Sequence, residues 1–264
     1  MLKIDNVCKT FNPGTNNEKK ALFELNLELN AGDFVTVIGG NGAGKSTMLN
    51  AVAGTWPIDR GSIVIDGVDV TGLAEHKRAQ YIGRVFQDPM LGTAPDLQIE
   101  ENLALAVRRG RSRGLSWGIK KAERGLFYEK LKEFDLGLEN RMTTKVGLLS
   151  GGQRQALTLL MASIQKPKLL LLDEHPAALD PKTAQKVLEL SDKIIRENKL
   201  TALMVTHNMK DAISHGNRLI MMSNGRVVYD VSGEEKKKLT IEGLIQKFSD
   251  CTGESFDNDR ALLS

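Results

Sequence analysis

Nine consecutive residues constrain this chain more than any others: Gly39-Gly40-Asn41-Gly42-Ala43-Gly44-Lys45-Ser46-Thr47. An apolar run, Phe34-Val35-Thr36-Val37-Ile38, precedes them, and a stretch suited to a helix, Met48 to Ala53, follows. Strand, glycine-rich loop and helix in that order, with the spacing G-x-x-x-x-G-K-[ST], form a phosphate-binding loop. Glycine lets backbone N–H groups turn inward and come close to a phosphate. The helix that follows adds its own N–H groups and the positive end of its dipole. The pattern assigns Lys45 to the β- and γ-phosphates and the Ser46 hydroxyl to Mg²⁺. The phosphates of a nucleotide are therefore the expected ligand.

Composition sets the outer limits. The chain has 264 residues, 41% hydrophobic and 26% charged, within the ordinary globular range. A net charge of +3 is too small to argue for nucleic acid, and none is expected as a partner. The two cysteines, Cys8 and Cys251, stand far apart and read as free thiols of a reducing compartment. No apolar leader follows Met1, and no run of about eighteen apolar residues marks a membrane span. The expected location is the cytoplasm, with any work at a membrane depending on a partner.

Periodicity places the rest. Leu2 to Val7 alternates as a half-buried strand, and Leu25 to Leu29 gives a second. Asp66-Gly67 and Asn224-Gly225 each join two strand patterns in the manner of a hairpin. From about Pro89 to Ile164 the pattern turns helical, and within it Arg108-Arg109-Gly110-Arg111-Ser112-Arg113-Gly114 reads as a solvated basic loop or a docking surface for an acidic partner or lipid head groups. Leu169 to Leu172 and Ala202 to Thr206 have the apolar character of buried parallel strands. Asp180-Pro181 opens a helix with Val187, Leu190 and Ile194 expected on its inner face. The reading is an α/β fold: a P-loop ATPase core over about 1–88 and 165–232, with an antiparallel β subdomain, interrupted by a helical insertion over about 89–164. Residues 233–264 are expected as a charged tail with one short helix, Ile241 to Phe248.

Two further sites follow from residue types. Asp173 ends a buried strand, where a P-loop ATPase holds Mg²⁺, and Glu174 beside it is placed to orient or deprotonate an attacking water. Ser150-Gly151-Gly152-Gln153, ahead of a helix with Ala156, Leu157, Leu160, Met161 and Ile164 on one face, makes a second anion cradle. This one has no lysine and no metal ligand.

Taken together, these motifs resemble the ATP-binding-cassette ATPases, the motor subunits of ABC transporters, over roughly residues 1 to 230. The resemblance implies a pair of cassettes with ATP sandwiched between them, the signature Leu149-Ser150-Gly151-Gly152-Gln153 of one copy facing the phosphate loop of the other. It implies further roles. Phe11 looks like the aromatic that stacks on adenine. Gln87, before the helical insertion, looks like the glutamine that touches Mg²⁺ or the water. His207 looks like the histidine on the γ-phosphate, and Asp180 matches the aspartate of the D-loop. The D-loop departs from the family pattern at Ala177, which lacks a serine hydroxyl, and His175 beside Glu174 is unusual.

The family likeness implies a subunit that hydrolyses ATP to drive a small solute through a separate membrane permease, most readily as an importer. It implies attachment to the inner face of the membrane through that permease. A closer likeness to a subgroup of bacterial importers adds an extracytoplasmic solute-binding protein. The same motifs serve exporters and soluble cassette ATPases acting on ribosomes or nucleic acid, and these stand as alternatives. Neither the solute nor a role for the tail is legible.

Overall fold

The computed structural model describes residues 1–110, 118–174 and 179–252. In chain order its elements are β1 (Leu2–Phe11), β2 (Lys19–Leu29), β3 (Phe34–Ile38), α1 (Lys45–Ala53), β4 (Arg60–Ile65), β5 (Val68–Asp69), α2 (Glu75–Arg78), β6 (Ile82–Val85), α3 (Ile99–Val107), α4 (Lys121–Lys132), α5 (Gly151–Ser163), β7 (Leu169–Asp173), α6 (Pro181–Asn198), β8 (Thr201–Val205), α7 (Met209–Ser214), β9 (Arg218–Ser223), β10 (Arg226–Ser232), α8 (Gly233–Lys237) and α9 (Ile241–Thr252). They form two compact units: Met1–Arg78 with the chain from Lys199 onward, and Ala79–Asn198. No helix among the described residues is long and apolar enough to cross a membrane.

The first unit contains the expected antiparallel sheet, in the order β2-β1-β4-β5. Alternation drives it: Leu2, Ile4 and Val7 of β1 are buried while Lys3 and Asp5 face water. Asp66 and Gly67 both have positive φ, 52° and 80°, so the β4–β5 connection is the tight turn that matches strand twist. Asn224 and Gly225 (48° and 73°) do the same for β9 and β10. β3 lies between β8 and β9 and runs parallel to both. All five of its residues are buried, which explains a continuous apolar run rather than an alternating one.

The tail from Gly233 is more structured than one short helix. It forms α8 and then α9, whose Leu244 and Phe248 join a core cluster with Ile38, Met209, Leu219 and Met221. Burying each of those two side chains contributes about 1.5–3 kcal/mol. Lys236, in the run read as a charged tail, turns inward. It is 2% exposed and donates to the Thr36 hydroxyl (3.3 Å) and to the carbonyls of His215 and Gly216.

The second unit pairs β6 with β7 in parallel and packs α5 against β6, with α3, α4 and α6 set against α5. β6 escapes sequence reading because it is four residues long and holds a glycine and an arginine. Gly83 is needed there: an added Cβ would stand 2.3 Å from the Ala162 carbonyl oxygen of α5. The basic segment is not simply solvated at its start. Arg108 pairs with Glu123 at 3.0 Å, and the half-buried Arg109 donates to the Ala162 carbonyl. Residues 111–114 lie outside the described residues. The inner face of α6 is also rotated from expectation: Val187 is buried with Leu188, Ser191 and Ile195, while Leu190 and Ile194 are half-buried.

A buried arginine fastens the phosphate-loop helix to the rest of the first unit. Arg78 is 3% exposed. Its guanidinium donates to the carbonyls of Ala51 (2.8 Å) and Val52 (3.0 Å) at the end of α1, and to Leu73 (2.8 Å) and Thr71 (2.9 Å). A cation at a helix C-terminus also complements the dipole. Arg78→Met would strand these carbonyls and is expected to cost about 3 kcal/mol or more, lowering the melting temperature by about 6–12 °C. Thermal unfolding followed by circular dichroism checks this; a shift within about 2 °C contradicts it.

Candidate functional site

The first unit builds one half of the site from strand ends. Val37 of β3 faces Val205 of the parallel β8, so the loop after β3 and His207 after β8 leave at the same sheet edge. The loop is wedged against backbone on two sides. A Cβ on Gly39 (φ 153°) would lie 2.2 Å from the Met222 carbonyl oxygen, and one on Gly44 (φ 100°) 2.6 Å from that of Ala21. Gly225 N–H donates to the Ala43 carbonyl at 3.0 Å and ties the loop to the β9–β10 turn. These two glycines are therefore required by space as well as by φ.

Lys45 opens α1 and is 5% exposed. Its ammonium folds over the loop and donates to the carbonyls of Gly39 (2.6 Å) and Gly40 (3.1 Å). Asn41, Gly42 and Ser46 are exposed, Gly40 and Thr47 half-buried and Ala43 buried. The helix start, Gly44, has no capping side chain. Other helices of the chain are capped by side chains: Ser150 serves α5, Asp180 serves α6 and Asn208 serves α7. An uncapped helix start beside a lysine and an exposed hydroxyl is the donor set that a triphosphate requires.

Phe11 ends β1 and is half-buried. Its ring is held edge-on by Trp56, with centroids 4.9 Å apart and planes at 83°, and Lys9 Nζ lies 5.5 Å from the ring centre. The pairing with Trp56 escapes sequence reading because 45 positions separate the two rings.

The second unit carries the other expected site residues. β6 and β7 are parallel, with Val85 opposite Leu172, so Gln87 and Asp173-Glu174 emerge at the same end of the pair. Gln87 is exposed, and Asp88 beside it accepts from the Met90 N–H at 2.8 Å. Buried Asn102 then pins the following segment by exchanging two hydrogen bonds with the Ala94 backbone (2.8 and 3.0 Å). Glu174 is 8% exposed and has φ 43°, an uncommon conformation for a non-glycine residue. Arg84 NH2 lies 3.6 Å from the Asp173 carboxylate, a partner missed from sequence because the β6–β7 register is not legible in it.

The signature forms the start of α5. The Ser150 hydroxyl accepts from Gln153 N–H, and the Gln153 side chain accepts from Ser150 N–H, both at 3.3 Å. Gln153 also donates to the Leu136 carbonyl (3.3 Å), so its side chain is committed to the cap. Ser150 and Gly151 stay exposed, while Gly152 is buried against α6, where a Cβ would meet Thr183 at 2.1 Å. Asp180 caps α6 through Thr183 N–H at 3.1 Å. Its hydrogen bonds with the Thr183 side chain and backbone hold its carboxyl below the usual value. Signature and D-loop aspartate thus adjoin. His175, Ala177 and Ala178 lie outside the described residues.

Comparison with known proteins matches these features to one family. The ABC transporter family model matches residues 22–177. The tyrosine transport ATP-binding protein of Clostridioides difficile is 47% identical over 94% of this chain and 98% of its own length. The phosphonates import ATP-binding protein of Lactococcus lactis subsp. lactis is 32% identical over 94% of this chain and 99% of its own. Among solved structures, a dimeric ATP-binding cassette in a post-hydrolysis state bound to ADP and Pi superposes with a TM-score of 0.75 at 32% identity, covering 88% of this chain and 98% of that one. The chain belongs to the ABC transporter family and is an ATP-binding, ATP-hydrolysing subunit of it.

Proposed function

We propose that this chain is the ATPase of a solute importer, working as a pair of cassettes on the inner face of a membrane against a separate permease. The observation that carries the reading is the uncapped phosphate-loop helix with Lys45 folded over it, on a chain 47% identical along nearly its whole length to a tyrosine transport ATP-binding protein. Two further relatives, a phosphonates import and a spermidine/putrescine import ATP-binding protein, carry import in their names, which supports import over export. An extracytoplasmic binding protein is part of the proposal. A small amino acid of the tyrosine type is the first solute to test, because the solute itself is chosen by the permease and binding protein.

The division of labour follows from the residues. Loop N–H groups and Lys45 bind the phosphates; Lys45 exchanges the Gly39 and Gly40 carbonyls for phosphate oxygens. Phe11 offers its ring to adenine. Glu174 takes the proton of the attacking water on its carboxylate. His207 of the same chain and the partner subunit's Ser150 hold the γ-phosphate. Asp173 fits a cation, since it already accommodates the Arg84 guanidinium. When bound, Mg²⁺ neutralises the developing phosphate charge, and Ser46, Asp173 and Gln87 are the residues that would hold it. The α/β core and the helical segment over about 89–164 act as the catalytic and the permease-facing parts.

Two substitutions separate binding from chemistry. Lys45→Ala should raise the Kd for ATP about 100-fold or more, as calorimetry would show. Glu174→Gln should keep ATP binding and lower phosphate release about 10²- to 10⁴-fold. Hydrolysis at the wild-type rate would remove Glu174 from the catalytic role. The transport reading is tested by capturing the tagged chain with ATP from detergent-solubilised membranes. A co-purifying multi-spanning permease is the expected result, and ribosomal proteins or nucleic acid in its place would overturn the importer.

A further inference from the structure

Asp173 does not stand alone at the end of β7. Arg84 of β6 faces Leu171, and Asp173 lies two residues further along the parallel strand. The two side chains therefore share one face of the strand pair as diagonal neighbours, within reach of a long side chain. Both are mostly buried, with side chains 11% and 15% exposed. The separation of 3.6 Å is looser than a charge-assisted hydrogen bond. Arg84 has a second seat: its guanidinium lies over the Phe86 ring, 4.5 Å from the centroid. The Phe86 carbonyl is held in turn by the buried Gln155 side chain at 3.4 Å.

A carboxylate this far from water needs a counter-charge. Arg84 supplies one. A dication arriving at the same carboxylate meets that fixed guanidinium and is repelled by it. We propose that Arg84 is a built-in counter-cation, a positioning residue that occupies Asp173 in the absence of Mg²⁺ and opposes loading of the metal until nucleotide phosphates help to hold it. The stacked seat on Phe86 gives the guanidinium a place to remain once it yields the carboxylate. The inference rests on the reading of Asp173 as a metal ligand.

The test uses the full chain, a non-hydrolysable ATP analogue and a Mg²⁺ titration of analogue binding, with thermal melts in EDTA beside it. Arg84→Met is expected to lower the Mg²⁺ midpoint about ten-fold. The same change lowers the melting temperature in EDTA by about 5 °C or more, because the largely buried carboxylate loses this ion pair. Arg84→Lys keeps the charge and stays within about two-fold of the wild-type midpoint. A purely structural arginine would lower stability and weaken metal binding together. An unchanged or raised midpoint in Arg84→Met overturns the proposal. If that variant does not fold, Phe86→Leu removes the seat to which the guanidinium withdraws, and the midpoint is expected to rise; an unchanged or lowered one overturns the proposal. Asp173→Asn separates the two readings. A midpoint it leaves unmoved overturns Asp173 as the ligand, whereas one it raises, with Arg84→Met silent, overturns the counter-cation alone.

Discussion

The shape of the phosphate loop depends on steric contact between backbones. Gly39 presses on the Met222 carbonyl and Gly44 on that of Ala21, at distances no side chain allows. The Gly225 N–H then holds the Ala43 carbonyl. The loop is thus clamped between β2 and the β9–β10 turn, and α1 can start with no capping side chain of its own. A loop held by its scaffold need not be ordered by its ligand, so less of the binding energy is lost to ordering. Arg78 secures the far end of the same helix.

Two charged groups, Lys45 and Asp173, have partners within the chain. Lys45 rests on two loop carbonyls, and Asp173 rests beside Arg84. Neither buried charge is left without a partner, which would be costly. Under the proposed function each contact is one that a nucleotide or its metal would replace: carbonyl oxygens by phosphate oxygens, and a guanidinium by a dication. The strained backbone at Glu174 belongs to the same region, as expected where a side chain must be aimed rather than merely packed.

Much of this was legible in the sequence, for physical reasons. The loop from Gly39 to Thr47 was readable because phosphate binding demands glycine and lysine at fixed spacing. The hairpins at Asp66-Gly67 and Asn224-Gly225 were readable because only a few residue types accept positive φ twice in succession. The helix opened by Asp180-Pro181 showed its cap and its proline. What stayed hidden depends on pairing between distant segments. β6 is too short and mixed to declare itself, and Arg84 meets Asp173 only through the β6–β7 register. Lys236 looked like a surface charge because nothing local reveals the carbonyls of His215 and Gly216 waiting for it. The inner face of α6 was misplaced because its neighbours, rather than its period alone, decide which residues are covered.

The central claim is that each ATP site takes its phosphate loop from one copy and its signature from another. Sedimentation velocity of the Glu174→Gln chain, with and without Mg²⁺ and ATP, tests it directly. The account predicts a monomer without nucleotide, a dimer holding two ATP with it, and loss of that dimer when Ser150→Phe is added while each chain still binds ATP. A chain saturated with ATP that remains a monomer, or a dimer indifferent to Ser150→Phe, would contradict it.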